Sequence, residues 1–274
     1  MVPGNSLPGF RLVGWFWSIL TVMNWPLYEQ IVTQVFEPLV EDDGIPDTEL
    51  DAAEARLGIT LPAVLRQLYS LCGRRGDLHQ ACENLVLPPL LHTRDGYLVF
   101  YQNINEEKYW AVRVDGGDDP PVFLGNAGAW EPDYPSLSAF LLAMLFWQGV
   151  KGGMPYCAQG NLLSATIAQV AAGAQQTPLG GAWKLEALWC SGLMLVYSTE
   201  ETTELRQVLC GYSEPQVVNE QVLPGVTWEQ QGRRTTQVRF RNHDLSSRCA
   251  GCGRSKLTWA DTSRGICARC GHPL

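Results

Sequence analysis

The chain holds no apolar run long enough to cross a membrane as a helix, which takes about 20 residues. The longest, Leu12–Met23, stretches over about 12. Charge is scarce at 18 % of residues. Histidine is scarcer, with only His79, His92, His243 and His272. Also absent are a G-x-S-x-G elbow, a phosphate-binding G-x-x-x-x-G-K loop, a G-x-G-x-x-G turn after a strand, and an H-E-x-x-H pair. These absences remove the common hydrolase, nucleotide-binding and zinc-protease signatures. One combination could host a thiol nucleophile: His79 with Cys72 and Cys82. It reads as a coincidence of loop residues rather than as a catalytic pair. The acidic doublets Asp42-Asp43, Glu106-Glu107 and Asp118-Asp119 fall in loops, where solvated turns account for them. No enzymatic centre is legible, and the chain is expected not to be an enzyme.

What is present is a globular composition: 274 residues, 46 % hydrophobic, enough for a sizeable core. Net charge is −8 and unevenly spread. Residues 1–227 carry 11 Lys+Arg against 25 Asp+Glu, whereas residues 228–274 carry 9 against 3. An acidic body suits a basic partner surface and disfavours wrapping nucleic acid. Five of the nine cysteines, Cys72, Cys82, Cys157, Cys190 and Cys210, are scattered through mostly apolar contexts. That points to a reducing compartment, and the protein is expected in the cytoplasm. Leu12–Met23 resembles a signal-peptide core with no small-residue cleavage site after it. It reads equally as an upstream extension before a start at Met23, or as a helix packed on the body.

Residues 43–72 are the most regular part of the first half. Asp47 and Thr48 are good helix caps, with Asp51 three residues after Thr48 in capping-box spacing. Leu50, Ala53 and Leu57 recur at helical spacing, and Gly58 supplies a left-handed stop. A second helix opens at Leu61-Pro62 and carries Leu61, Val64, Leu65, Leu68, Tyr69 and Cys72 as one apolar stripe. Residues 96–102 and 108–114 then read as strands around an Asn103–Glu107 hairpin loop. Pro120-Pro121-Val122-Phe123 begins a third strand at a sheet edge. Ser136 caps a helix with Leu137, Phe140, Leu141, Met144, Leu145 and Gln148 on one face. Helices, antiparallel strands and a closing helix make an α+β domain.

The order of these elements resembles the SUKH superfamily, the Smi/Knr-type immunity fold of bacterial polymorphic toxin systems. The match is carried by Asp47, Glu54, Leu57-Gly58, Leu61-Pro62, Leu65 and Tyr69. The Trp110 strand, Pro120-Pro121-Val122, Trp130 and the helix entry 136–140 continue it. It spans residues 28–149, about 45 % of the chain. One departure is Leu71-Cys72-Gly73-Arg74-Arg75, where the family has a polar, Gly-rich loop. The resemblance implies an immunity protein that binds a cognate toxin and blocks its active site, as a monomer in a 1:1 complex without a membrane. The toxin would be a nuclease, or an NAD-using enzyme such as an ADP-ribosyltransferase. Acidic residues facing its cationic cleft would be Glu106, Glu107, Asp115, Asp118, Asp119, Glu131 and Asp133. Trp110 and Trp130 read as core.

The expected organisation is an extension (1–27), the SUKH-like domain (28–150), a second small α+β domain (151–244) and a zinc ribbon (245–274). Residues 151–160 look like a Gly-rich linker, 161–173 a helix and 175–181 a loop. Strands follow in 183–198, 205–212 and 226–241. In the tail, Cys249-x-x-Cys252-Gly and Cys267-x-x-Cys270-Gly are two knuckles 14 residues apart. Four thiolates satisfy tetrahedral zinc and leave no open position, so the metal would be structural. Arg248, Arg254, Lys256, Arg264, Arg269 and Trp259 make the ribbon basic. It could contact nucleic acid as a nucleic-acid- or ribosome-associated adaptor, dock on the acidic body, or meet a protein partner.

Overall fold

The helix pair between residues 47 and 72 forms largely as its sequence dictates. In the computed structural model, residues 23–126, 128–180, 184–199, 204–214, 223 and 227–233 are described. They contain helices packed with two antiparallel six-stranded sheets, an α+β arrangement.

Helix α1 (Trp25–Val35) was not expected. Asn24 caps it through its side chain to the Leu27 amide at 3.1 Å, and it buries Tyr28, Ile31, Val32 and Val35. Helix α2 (Asp47–Leu57) ends where Gly58 turns left-handed at φ 68° and returns its amide to the Glu54 carbonyl. The Thr48/Asp51 capping box does not form. Pro46 precedes the helix, no side chain caps it, and Asp51 instead bonds Arg66 at 2.7 Å. Arg66 on helix α3 (Ala63–Cys72) also reaches Asp47 and Glu54, each at 3.0 Å. Glu54 in turn accepts the Leu61 amide at 2.8 Å, closing the connection between the helices. Tyr69 donates to the Val86 carbonyl. Arg66, Asp47, Asp51, Glu54 and Tyr69 thus lock this corner. A short helix α4 (Gly76–His79) follows.

The first sheet comprises β1 (Glu83–Leu85), β2 (His92–Arg94), β3 (Tyr97–Asn103), β4 (Tyr109–Arg113), β5 (Val122–Asn126) and β6 (Ala129–Tyr134). Its order is β1-β3-β4-β5-β6, with β2 also paired to β3. Leu98, Tyr101, Trp110, Val112 and Val122 face the helices and enter the main core.

Helix α5 (Leu137–Gln148) starts as predicted, with Ser136 accepting the Ala139 amide at 3.2 Å. It does not have one apolar face. Ala143 and Phe146 are buried along with Phe140, Leu141, Met144 and Leu145. A helix buried all round needs cover on two sides, and the second sheet supplies the other. That sheet comprises β7 (Tyr156–Leu163), β8 (Gln175–Gly180), β9 (Leu185–Cys190), β10 (Leu193–Ser198), β11 (Leu205–Tyr212) and β12 (Thr227–Arg233), ordered β12-β7-β11-β10-β9-β8. Leu179, Ala187, Trp189, Met194 and Val196 share one buried cluster with α1, α3, α5 and the first sheet. On the opposite face Leu188, Leu195, Tyr197, Val208 and Cys210 pack with Ile167 of helix α6 (Ser164–Gly173).

The expected linker at 151–160 is a wide turn at Gly149–Gly153 followed by β7. The approach there is close. A Cβ on Gly211 would lie 2.8 Å from the Gly149 carbonyl, and one on Gly149 would lie 2.6 Å from the Met194 sulfur. The glycines read as flexibility are packing contacts instead. Likewise the helix expected at 161–173 begins only at Ser164, and the loop expected at 175–181 is β8. Among the described residues, no helix is long and apolar enough to cross a membrane.

Candidate functional site: the first sheet and its two ends

The face of the first sheet opposite the helices carries a cluster of aromatic rings. Tyr97 pairs with Arg113 in register, Ala111 with Phe123, and Trp130 with Gly125. Period-two alternation turns these side chains away from Leu98, Trp110 and Val112. Tyr97 stacks on Trp130 at 4.9 Å between ring centroids and meets Phe123 edge-on at 5.1 Å. Arg113 lies 6.0 Å above the Tyr97 ring. Gly125 is required beneath, since a Cβ there would sit 2.5 Å from the Trp130 ring. All three aromatic residues are half-buried, and none belongs to either core cluster. Trp130 is therefore not core, in contrast to Trp110, which is 8 % exposed inside it. Tyr, Trp and Arg gathered on a rigid sheet are the residue types that dominate protein–protein hot spots.

The seven acidic candidates do not form one surface. Glu106 and Glu107 lie at the exposed tip of the β3–β4 hairpin. There Asn103 accepts the Glu107 and Lys108 amides at 2.7 and 3.0 Å, and Glu106 takes a left-handed φ of 57°. Asp115, Asp118 and Asp119 lie at the other end of β4, about 14 Å away for a five-residue strand. Asp115 is paired with Arg113 at 2.9 Å, which holds its carboxyl below the usual value. Asp118 offers its carbonyl to the Val64 amide in the first turn of α3, at 3.2 Å. Asp119 takes the Ser138 amide and hydroxyl, both at 2.8 Å, in the first turn of α5. This loop closes two helix N-termini, whose free amides need such acceptors. Glu131 is exposed on edge strand β6. Asp133, two residues on, accepts the Trp110 indole N–H at 2.9 Å, and partial burial raises its pKa.

His79 and Cys72 do meet, with Nε2 3.4 Å from the sulfur. Tyr28 touches the same sulfur at 3.8 Å. Burial pushes the thiol up to about 12 and the imidazole down to about 3, so both are neutral. A thiolate nucleophile needs the reverse shift and a route to solvent. His79 is 4 % exposed and Cys72 is sealed, so the pair is a packed hydrogen bond.

Beside it the loop after α3 is filled by a buried ion network. Arg75 makes a two-point contact with Asp77 at 2.8 and 2.7 Å and reaches Asp43 at 3.1 Å. Gln148 spends both ends of its amide on the neighbouring loop. It accepts from Ala81 and Cys82 at 2.7 and 2.9 Å, and donates to Glu83 and Tyr101 at 2.7 and 2.8 Å.

No family model, curated protein or solved structure matches the chain.

Cys249, Cys252, Cys267 and Cys270 lie outside the described residues, as do the ribbon and the segment 1–22. Among the described residues no group of three or more metal-ligating side chains is assembled. Residue type alone points Trp130 to the core, which hides the aromatic face. Its signal was available in the alternation of Tyr97, Tyr109, Ala111, Arg113 and Phe123 against Leu98, Trp110 and Val112.

Proposed function

We propose that the chain is an immunity protein with a SUKH-like first half, which binds a cognate toxin domain and occludes its active site. The observation that carries this reading is the half-buried Tyr97–Phe123–Trp130 cluster. It is held on a sheet whose other face is locked into the core. Rigid aromatic anchors give affinity at small entropic cost, and carboxylates around them steer a cationic partner. Glu106, Glu107 and Glu131 serve that steering role, since Asp119 and Asp133 are engaged in hydrogen bonds that hold the fold. The partner is a nuclease or an NAD-using toxin, whose cleft is cationic because its substrate carries phosphate. Cys249, Cys252, Cys267 and Cys270 hold one structural zinc ion, a proposal that rests on their spacing.

Co-expression with a toxin domain drawn from the neighbouring genes tests the function. Rescue of the cells and co-elution as a 1:1 complex are expected. Failure of both refutes it. For the ribbon, about one zinc per chain is expected, and its loss on Cys249→Ser. Metal-free protein with unchanged folding refutes the site.

A further inference from the structure

The β3–β4 hairpin is held at its base by a half-buried carboxylate. Glu83 opens the three-residue strand β1, opposite Asn103 of β3. Gln148 of α5 fixes its backbone, donating to the Glu83 carbonyl at 2.7 Å. The side chain is half-buried, and its Oε2 is closed to solvent. Two groups of the hairpin act on the carboxylate, one from each arm: the Ile104 backbone on the way out and Lys108 on the way back. The arms meet where the Asn103 amide donates to the Lys108 carbonyl at 2.9 Å. The other titratable groups in reach of Glu83 are Cys82 on its own loop and Tyr101 on β3, while Lys151 acts on Cys82. Burial pushes that thiol and that phenol up, so both stay neutral around pH 7.

We propose that Glu83 is a proton-held latch on the β3–β4 hairpin. With its proton on, the carboxyl stays seated under the hairpin. Without it, the charge favours water, and the side chain leaves its seat and frees residues 103–108. Burial is the larger influence on the carboxyl. It raises the group to about 7, against 4.5 when solvated, although the Ile104 backbone and Lys108 both favour the charge. Between those values the seated form holds a proton that the released form has lost. Rising pH therefore favours release until both forms are ionised above about 7. Release brings a third carboxylate to the base of a tip that already exposes Glu106 and Glu107, and so strengthens its field toward a cationic partner. The latch is a property of the chain alone and stands or falls independently of the toxin reading.

Amide chemical shifts of the full chain, followed by NMR from about pH 5.5 to 8.5, test it. Amides of 103–108 should move together with a midpoint near 7, whereas an ordinary glutamate titrates near 4.3. In Glu83→Gln they should keep their low-pH positions throughout. Lys108→Met removes a cation that favours the charged form, so the midpoint should move upward. A midpoint below the range, one that persists in Glu83→Gln, or one that Lys108→Met leaves in place overturns the proposal. Release itself is read by trypsin at pH 8, which cuts after Lys108 once the hairpin is free. Cleavage there should be at least about fivefold slower in Glu83→Gln than in the unaltered chain at the same pH. Equal rates would mean that the carboxyl titrates without releasing anything, and also overturn the latch.

Discussion

The two six-stranded sheets differ in how many of their faces are sealed. The second sheet is covered on both sides: Trp189, Met194 and Val196 join the central core, while Leu188, Leu195 and Tyr197 pack under α6. The first sheet is covered by helices on one side, and its other side carries Tyr97, Phe123 and Trp130 as half-buried rings around the buried Val99 and Ala111. A sheet buried on both faces has committed its side chains to stability. One with aromatic rings left at the surface has side chains to spend on a partner. The contrast also separates two tryptophans twenty residues apart. Trp110 donates to Asp133 from inside the core, and Trp130 stacks on Tyr97 outside it.

The shared core is the part of this contrast that a single substitution breaks most severely. Trp189→Ala should cost about 3–5 kcal/mol and lower one cooperative transition in chemical denaturation. Two transitions, with the first-half probe unmoved, would show that the sheets fold independently. The next effect is pH-dependent. His79 has a folded value of about 3 against 6.5 for the free group. Between these values the unfolded chain binds the proton and the folded chain does not, so stability falls as pH drops below about 6.5. By about pH 4 the loss should reach roughly 3 kcal/mol, at 1.4 kcal/mol per unit. His79→Gln should flatten that slope, and an unchanged slope would mean the imidazole is not sealed.

The outward face should respond oppositely. Trp130→Ala should cost only about 1 kcal/mol in stability, yet weaken capture of the proposed partner about 100-fold, as hot-spot truncations do. Trp110→Ala should do the reverse, lowering stability by about 3–5 kcal/mol and leaving affinity intact in the folded fraction. Equal effects of the two would erase the distinction between faces. The smallest change is expected from Arg113→Ala. It removes an exposed pair with Asp115 and the contact over the Tyr97 ring, and should leave the unfolding midpoint close to where it was.

Local patterns predicted the elements that local patterns control. Gly58 ends α2, Ser136 opens α5, and the apolar stripe Val64–Leu65–Leu68–Tyr69–Cys72 is buried where a helical period places it. The short strands β1 and β2 are not legible, since three residues carry no period, and α1 has a weaker sequence signal than the helix pair after residue 43. Of the acidic candidates, sequence could place Glu106 and Asp118 in loops. It could not show that an antiparallel hairpin sends those loops to opposite ends of one strand.

The sequence by itself determined the α+β class, the helix pair with its Gly58 stop, and the Ser136 cap, because helical period and these end signals depend on residues within a few positions of one another. Tertiary structure alone decided the rest. Helix α5 became a central helix because a second sheet, distant in the chain, covers its other side. His79 and Cys72 became a neutral pair because burial penalises charge, whatever the residue types suggest. Trp130 came to face outward because strand register, set by cross-strand partners, chooses the side on which a ring emerges.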